Sequence, residues 1–92
     1  RMTTSTGIQT ATSIVSSARC KLESFHATNA SESAITLNVW DSGTATISGK
    51  IEVTRMVLPA NSNLEYDMHG RIMAEGIYVV VSAACAYSVE YS

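Results

Sequence analysis

A chain of 92 residues holds one domain built on one thin core. Apolar residues make up 46% of it, which excludes intrinsic disorder; charged residues make up only 15% and the net charge is −2, which excludes the basic stripe of a nucleic-acid binder. No apolar run approaches the ~20 residues of a membrane-spanning helix, and no apolar segment follows Arg1 as a secretory leader would require.

Ten Thr, eight Val and seven Ile stand against four Leu and two Lys. β-Branched side chains pack well on a pleated sheet, and strong helix formers other than Ala are scarce. Thirteen Ser suit turns and exposed strand faces. The composition is all-β. Eight strands of about 5–6 residues would use roughly half the chain, which is what a small β-sandwich or jelly roll requires.

Residues 1–7 are small and polar and read as an arm. With the start of the next segment they form a polar arm over 1–10, ahead of a single domain over 11–92. Ile8, Thr10, Thr12 and Ile14 alternate as a weak edge strand. The next strand is Arg19–Asn29. Cys20, Leu22, Ser24 and His26 share one face, and Arg19, Lys21, Glu23 and Phe25 share the other. Leu22 is taken inward because three charges sit opposite it, so Phe25 needs either a bulge or a partner surface. After a turn at Asn29–Ser33, Ile35, Leu37 and Val39 point inward and Thr36, Asn38 and Trp40 outward.

Asp41-Ser42-Gly43 turns the chain into Ile47–Pro59. There the apolar phase changes near Arg55, which predicts a bulge or bend. Pro59–Asn63 is a turn, because Pro lacks a donor and ends the strand. Leu64, Tyr66 and Met68 alternate with Glu65 and Asp67, and His69-Gly70 and Glu75-Gly76 are read as turns. Ile77–Ser82 is a continuous apolar run, which predicts a central strand covered on both faces. Ala83-Ala84 is a hairpin candidate, and Tyr87, Val89 and Tyr91 alternate in the last strand. Turn signals every 8–12 residues without a helical segment fit a sandwich or barrel with antiparallel strands.

Few residues carry chemistry. His26 and His69 lack a further ligand at metal-site spacing. No Gly-x-Ser-x-Gly elbow accompanies the Ser, His and Asp residues. Glu52, Glu65, Asp67 and Glu75 read as solvated charges. No catalytic, metal-ligating or cofactor-binding residue is therefore assigned. Cys20 and Cys85 each begin a strand. If the last strand lies antiparallel to Arg19–Asn29, they sit at opposite ends, which favours free thiols over a bridge and fits a reducing cytoplasm. Asn29-Ala30-Ser31 matches a glycosylation sequon but reads as a turn. Trp40 and Phe25, the only Trp and Phe, both face outward in this phasing. An outward aromatic marks either a protein contact or a slipped strand.

One order of segments is familiar: Ala11–Val15, Cys20-Lys21-Leu22, a strand ending in Thr28-Asn29, Ile35–Asp41, Leu58–Ser62, Leu64–Asp67, Gly70-Arg71-Ile72, Gly76–Val80 and Val89-Glu90-Tyr91. It resembles small tailed-phage virion proteins of the capsid decoration (cement) or fibre-module kind. Trp40 stands where Tyr is common before Asp41, and Asn61-Ser62 where Gly-Gly is common. The resemblance implies a compact antiparallel jelly-roll sandwich without catalytic residues. It implies a protein that binds the major capsid protein or other virion proteins on the capsid exterior, after assembly in the host cytoplasm. No nucleic acid, membrane or cofactor partner is expected, and a homotrimer is favoured. The interface candidates are Trp40, Phe25 and Tyr66 and, on the arm, Met2 and Ile8. The alternative is a receptor- or glycan-binding module of a head or tail fibre.

Overall fold

Alternation of apolar and polar side chains makes each strand two-faced, and two such sheets can bury their apolar faces only against each other. In a computed structural model that describes residues 4–92, eight strands do this. They are β1 (Thr4–Ser5), β2 (Ser13–Ser16), β3 (Cys20–Asn29), β4 (Ile35–Asp41), β5 (Ile51–Leu58), β6 (Ser62–Met73), β7 (Ile77–Val81) and β8 (Ala86–Tyr91). Sheet I has the order β1-β8-β3-β6 and sheet II the order β2-β7-β4-β5, and every pairing is antiparallel.

The first strand lies beside the last, the second beside the seventh, the third beside the sixth and the fourth beside the fifth. That is a β-ribbon rolled on itself, the jelly-roll topology. Consecutive strands therefore switch sheets at every connection except β4–β5. Ala83-Ala84 is accordingly no hairpin: it carries the chain from β7 in sheet II to β8 in sheet I. The Pro59–Asn63 turn makes the same kind of crossing, from β5 in sheet II to β6 in sheet I.

The core is filled by Leu22, Phe25 and Ala27 of β3, Ile35, Leu37 and Val39 of β4, Met56 and Leu58 of β5, Met73 of β6, Ile77 and Val79 of β7, and Tyr87 and Val89 of β8, with Cys85 just before it. The inward set of β4 is the one its alternation predicts. Phe25 is a correction. It is buried rather than outward, because β3 bulges at Glu23. Leu22 faces Tyr91 and Ser24 faces Glu90, so Glu23 is one residue too many against β8. The bulge resets the phase, and Leu22 and Phe25 both point inward.

The same place explains a second correction. His69-Gly70 does not end a strand; β6 runs on to Met73. Arg71 faces Leu22 and Asp67 faces Ser24, so Met68, His69 and Gly70 loop out opposite the single residue Glu23. His69 and Gly70 have φ of 55° and 70°, the left-handed values that such a loop demands. In β5 the phase change falls at Val53, two residues before Arg55, where Val39 pairs with Thr54 and Trp40 with Glu52.

The segment read as an Ile8–Ile14 strand is divided. β2 starts only at Ser13, and Ile8 stays exposed. Before it, the arm lies along β8. Thr4 and Ser5 pair with Tyr91 and Glu90, and Gln9 and Tyr87 exchange both main-chain bonds at 2.7 and 2.9 Å. Cys20 and Cys85 are free thiols at opposite ends of the β3–β8 pair.

Candidate interaction face

Cross-strand partners share a face, so register decides which outward side chains meet. On the outside of sheet II, Ile14 of β2, Tyr78 of β7 and Trp40 of β4 stand in one row, ending in Glu52 of β5. The next row joins Val80, Asn38 and Arg55, and the one after it Thr36 and Val57. Trp40 thus faces away from the core, as its alternation predicts, and is half-buried by its neighbours. Ile14 is 44% exposed and Val57 60%. The result is an apolar row crossing β2, β7 and β4, widened on β7 by Val80, with Trp40 and Tyr78 at its centre.

Its polar margin is organised. Asn38 and Arg55 both bond the Glu52 carboxylate, Arg55 through Nη2 at 2.8 Å and Nε at 3.3 Å. These bonds, Asn38 first and Arg55 second, hold the Glu52 pKa below its ordinary value. The charge beside Trp40 is therefore fixed and already neutralised within the sheet.

Other candidate residues are occupied by structure. The Asp41 carboxylate accepts main-chain bonds from Ala74 (3.0 Å), Glu75 (2.8 Å) and Gly76 (3.4 Å), closing the β6–β7 turn. Asn29 of the sequon is fully buried. Its Nδ2 donates to the carbonyls of Ser33 (2.8 Å), Leu58 (2.9 Å) and Pro59 (3.2 Å), and its Oδ1 accepts from the Ser31 main chain and hydroxyl. It is the keystone of two turns.

Ser24 donates to Glu90 at 2.8 Å, whereas the Nδ1 of His26 lies 3.2 Å from Glu65, so this serine and histidine serve separate carboxylates. His69 is in the β6 bulge, where its N–H donates to Asp67. Among the described residues no group of three or more His, Cys, Asp or Glu is placed to hold a metal ion. Burial pushes both thiols, Cys20 and Cys85, above their ordinary pKa.

Of the five interface candidates, Trp40 belongs to the apolar face. Tyr66 is the partner of Phe25 and so lies on the core side of β6, at the open margin of sheet I, where it stays 47% exposed. Ile8 is 70% exposed on the arm, at the rim of a hollow on the outside of sheet I. Phe25 is in the core and offers no surface, and Met2 lies outside the described residues. Tyr78, Val80, Ile14 and Val57 were not singled out by sequence reasoning. The available signal was the unbroken apolar run Ile77–Val81, which predicts cover on both faces; the structure instead buries Ile77 and Val79 and leaves Tyr78 and Val80 half-buried on the outer side. No protein-family model, curated protein or solved structure matches the chain.

Proposed function

We propose that this domain is a non-enzymatic virion structural protein of the capsid decoration type, which seats the outer face of sheet II on the capsid surface and reinforces capsomer junctions. The observation that carries the reading is the row Ile14–Tyr78–Trp40 with Val80 beside it on β7. β7 is an interior strand with an apolar sequence on both sides. Sheet I covers one side, and a partner protein covers the other. Aromatic anchors inside a polar rim supply most of the affinity of such contacts. A small domain gains further from multivalency: three copies in a trimer engage a lattice far more tightly than one.

The test is copy number and oligomeric state. Virions purified from the culture that produces the chain are assayed for its copies by quantitative mass spectrometry, and the isolated chain is measured by mass photometry. A trimer at hundreds of copies per particle, with Trp40→Ala and Tyr78→Ala unable to rebind stripped particles, supports the reading. A monomer that never associates with particles overturns it.

A receptor- or glycan-binding fibre module has one observation in its favour. The hollow on the outside of sheet I, of about 620 Å³, is lined by Thr28, Asn63 and Ser88, whose side chains make no hydrogen bond to another described residue. A few copies per particle and retention on a glycan surface would favour it instead.

A further inference from the structure

We propose that the outer edge of β6 is a second docking surface, which accepts an extended, Lys- or Arg-bearing segment of another protein as an added strand of sheet I. This is independent of the sheet II face and uses none of its residues. β6 ends sheet I, with β3 on one side only. Over Ser62–Asp67 it pairs in unbroken register with Asn29–Ser24. Its other rim therefore presents a regular run of unpaired main-chain groups, the template for strand addition.

The side chains select the occupant. Beside this run is a hollow lined by Glu23, Ser24, His26, Glu65, Tyr66, Asp67 and Glu90. Its four carboxylates are met by Ser92, Ser24, His26 and the His69 main chain. Neither Lys nor Arg pairs with any of them among the described residues. A second copy of β6 registered on Tyr66 is disfavoured: antiparallel self-pairing there would set Glu65 against Asp67, and like charges directly opposite are destabilising. The bulge at Met68–Gly70 limits the usable edge to about the six residues before it. The features that disfavour that pairing suit a cationic strand, whose main chain would bond β6 and whose alternate side chains would reach the carboxylates. The partly exposed Tyr66 would pack against the residues between.

The experiment titrates the full chain with a synthetic capped heptapeptide alternating Lys with Val and Thr, followed by NMR. Three comparisons accompany it: the same peptide N-methylated at alternate residues, the Glu65→Gln/Asp67→Asn variant, and Trp40→Ala. Expected is slowed amide exchange confined to the β6 edge. Binding should fall about tenfold or more with the methylated peptide, and about tenfold with the double variant, within the scale of two exposed ion pairs. Trp40→Ala should bind as the parent does. Both substituted carboxylates are exposed, so the fold should tolerate the change. Equal binding of the methylated peptide would mean charge attraction without strand pairing. That outcome, protection appearing on another strand, or no binding at millimolar peptide overturns the proposal.

Discussion

The rings of Phe25 and Tyr87 stack across β3 and β8, with centroids 5.9 Å apart and planes within 4°. Tyr87 also ties the two sheets together. Its hydroxyl donates to the Ala11 carbonyl at 2.5 Å and therefore accepts from the Ser13 hydroxyl at 2.7 Å, at the start of β2. Burial pushes its phenol pKa up, against the opposing effect of the Ser13 bond. One residue of sheet I thus fills the core and anchors the edge of sheet II, and the stack exists only because the Glu23 bulge turns Phe25 inward.

Phe25 and Trp40 should lose very different amounts of stability on truncation. Phe25→Ala empties a core site and is expected to cost about 3–5 kcal/mol. Trp40→Ala removes an outward cross-strand partner of Tyr78 and should cost about 1 kcal/mol or less. Urea melts of the two variants check this, and a larger loss for Trp40→Ala would place that ring in the core.

Asn29→Ala should destabilise the domain without touching its apolar core. The Leu58 carbonyl loses its buried side-chain donor, and an unmet buried group costs about 1–3 kcal/mol. The turns at Ser31–Ser33 and Pro59 loosen as well, so hydrogen exchange should rise first at those two places. Uniform exchange throughout the chain would show that the keystone role is wrong.

Two glycines differ in what holds them, Gly76 by close approach together with a φ of +152° and Gly49 by backbone conformation alone. A Cβ at Gly76 would lie 2.2 Å from the Ser16 carbonyl oxygen and 2.9 Å from the Gly43 Cα. Gly76→Ala must push β2, β7 and the loop after β4 apart, at an expected cost of about 4 kcal/mol or more. Gly49, at φ +73°, has open space around it. Gly49→Ala pays only for the left-handed backbone, about 1–2 kcal/mol. Comparable melting temperatures for the two variants would contradict this assignment.

Acid should weaken the fold partly through Glu52. Its folded pKa lies below the ordinary 4.5 because Asn38 and then Arg55 bond the carboxylate. Such a group contributes stability that is complete above the unfolded pKa and is lost as pH falls through the folded one. Glu52→Gln should therefore narrow the difference in stability between about pH 5 and about pH 3, read from the fluorescence of Trp40, its cross-strand neighbour. An unchanged difference would mean that the carboxylate is not held as described.

Deleting residues 1–10 should leave a folded sandwich. The described part of the arm, residues 4–10, gives β8 main-chain bonds from Thr6 and Gln9 among others and puts no side chain into the core. Each such bond is worth about 0.5–1.5 kcal/mol net, so the midpoint should fall without loss of cooperativity. An unfolded product would show that closing the β8 edge is essential.

The sequence by itself determined the class of the fold and most of its strands. β-Branched residues in short alternating runs can bury one face only as sheets, and Pro59 and the Gly and Asn turns punctuate them. The inward set Ile35, Leu37, Val39 and the outward Trp40 follow from strict alternation, which register cannot alter while a strand stays regular. What only the tertiary structure decided lies at the irregular places. Whether Phe25 faces in depends on one extra residue at Glu23, and whether His69-Gly70 turns or bulges depends on β3 running past it. Likewise, the row Ile14–Tyr78–Trp40 joins three strands distant in sequence. Local periodicity holds no information on which strands become neighbours, and the jelly-roll pairing that makes the face is settled only when the two sheets close over a common core.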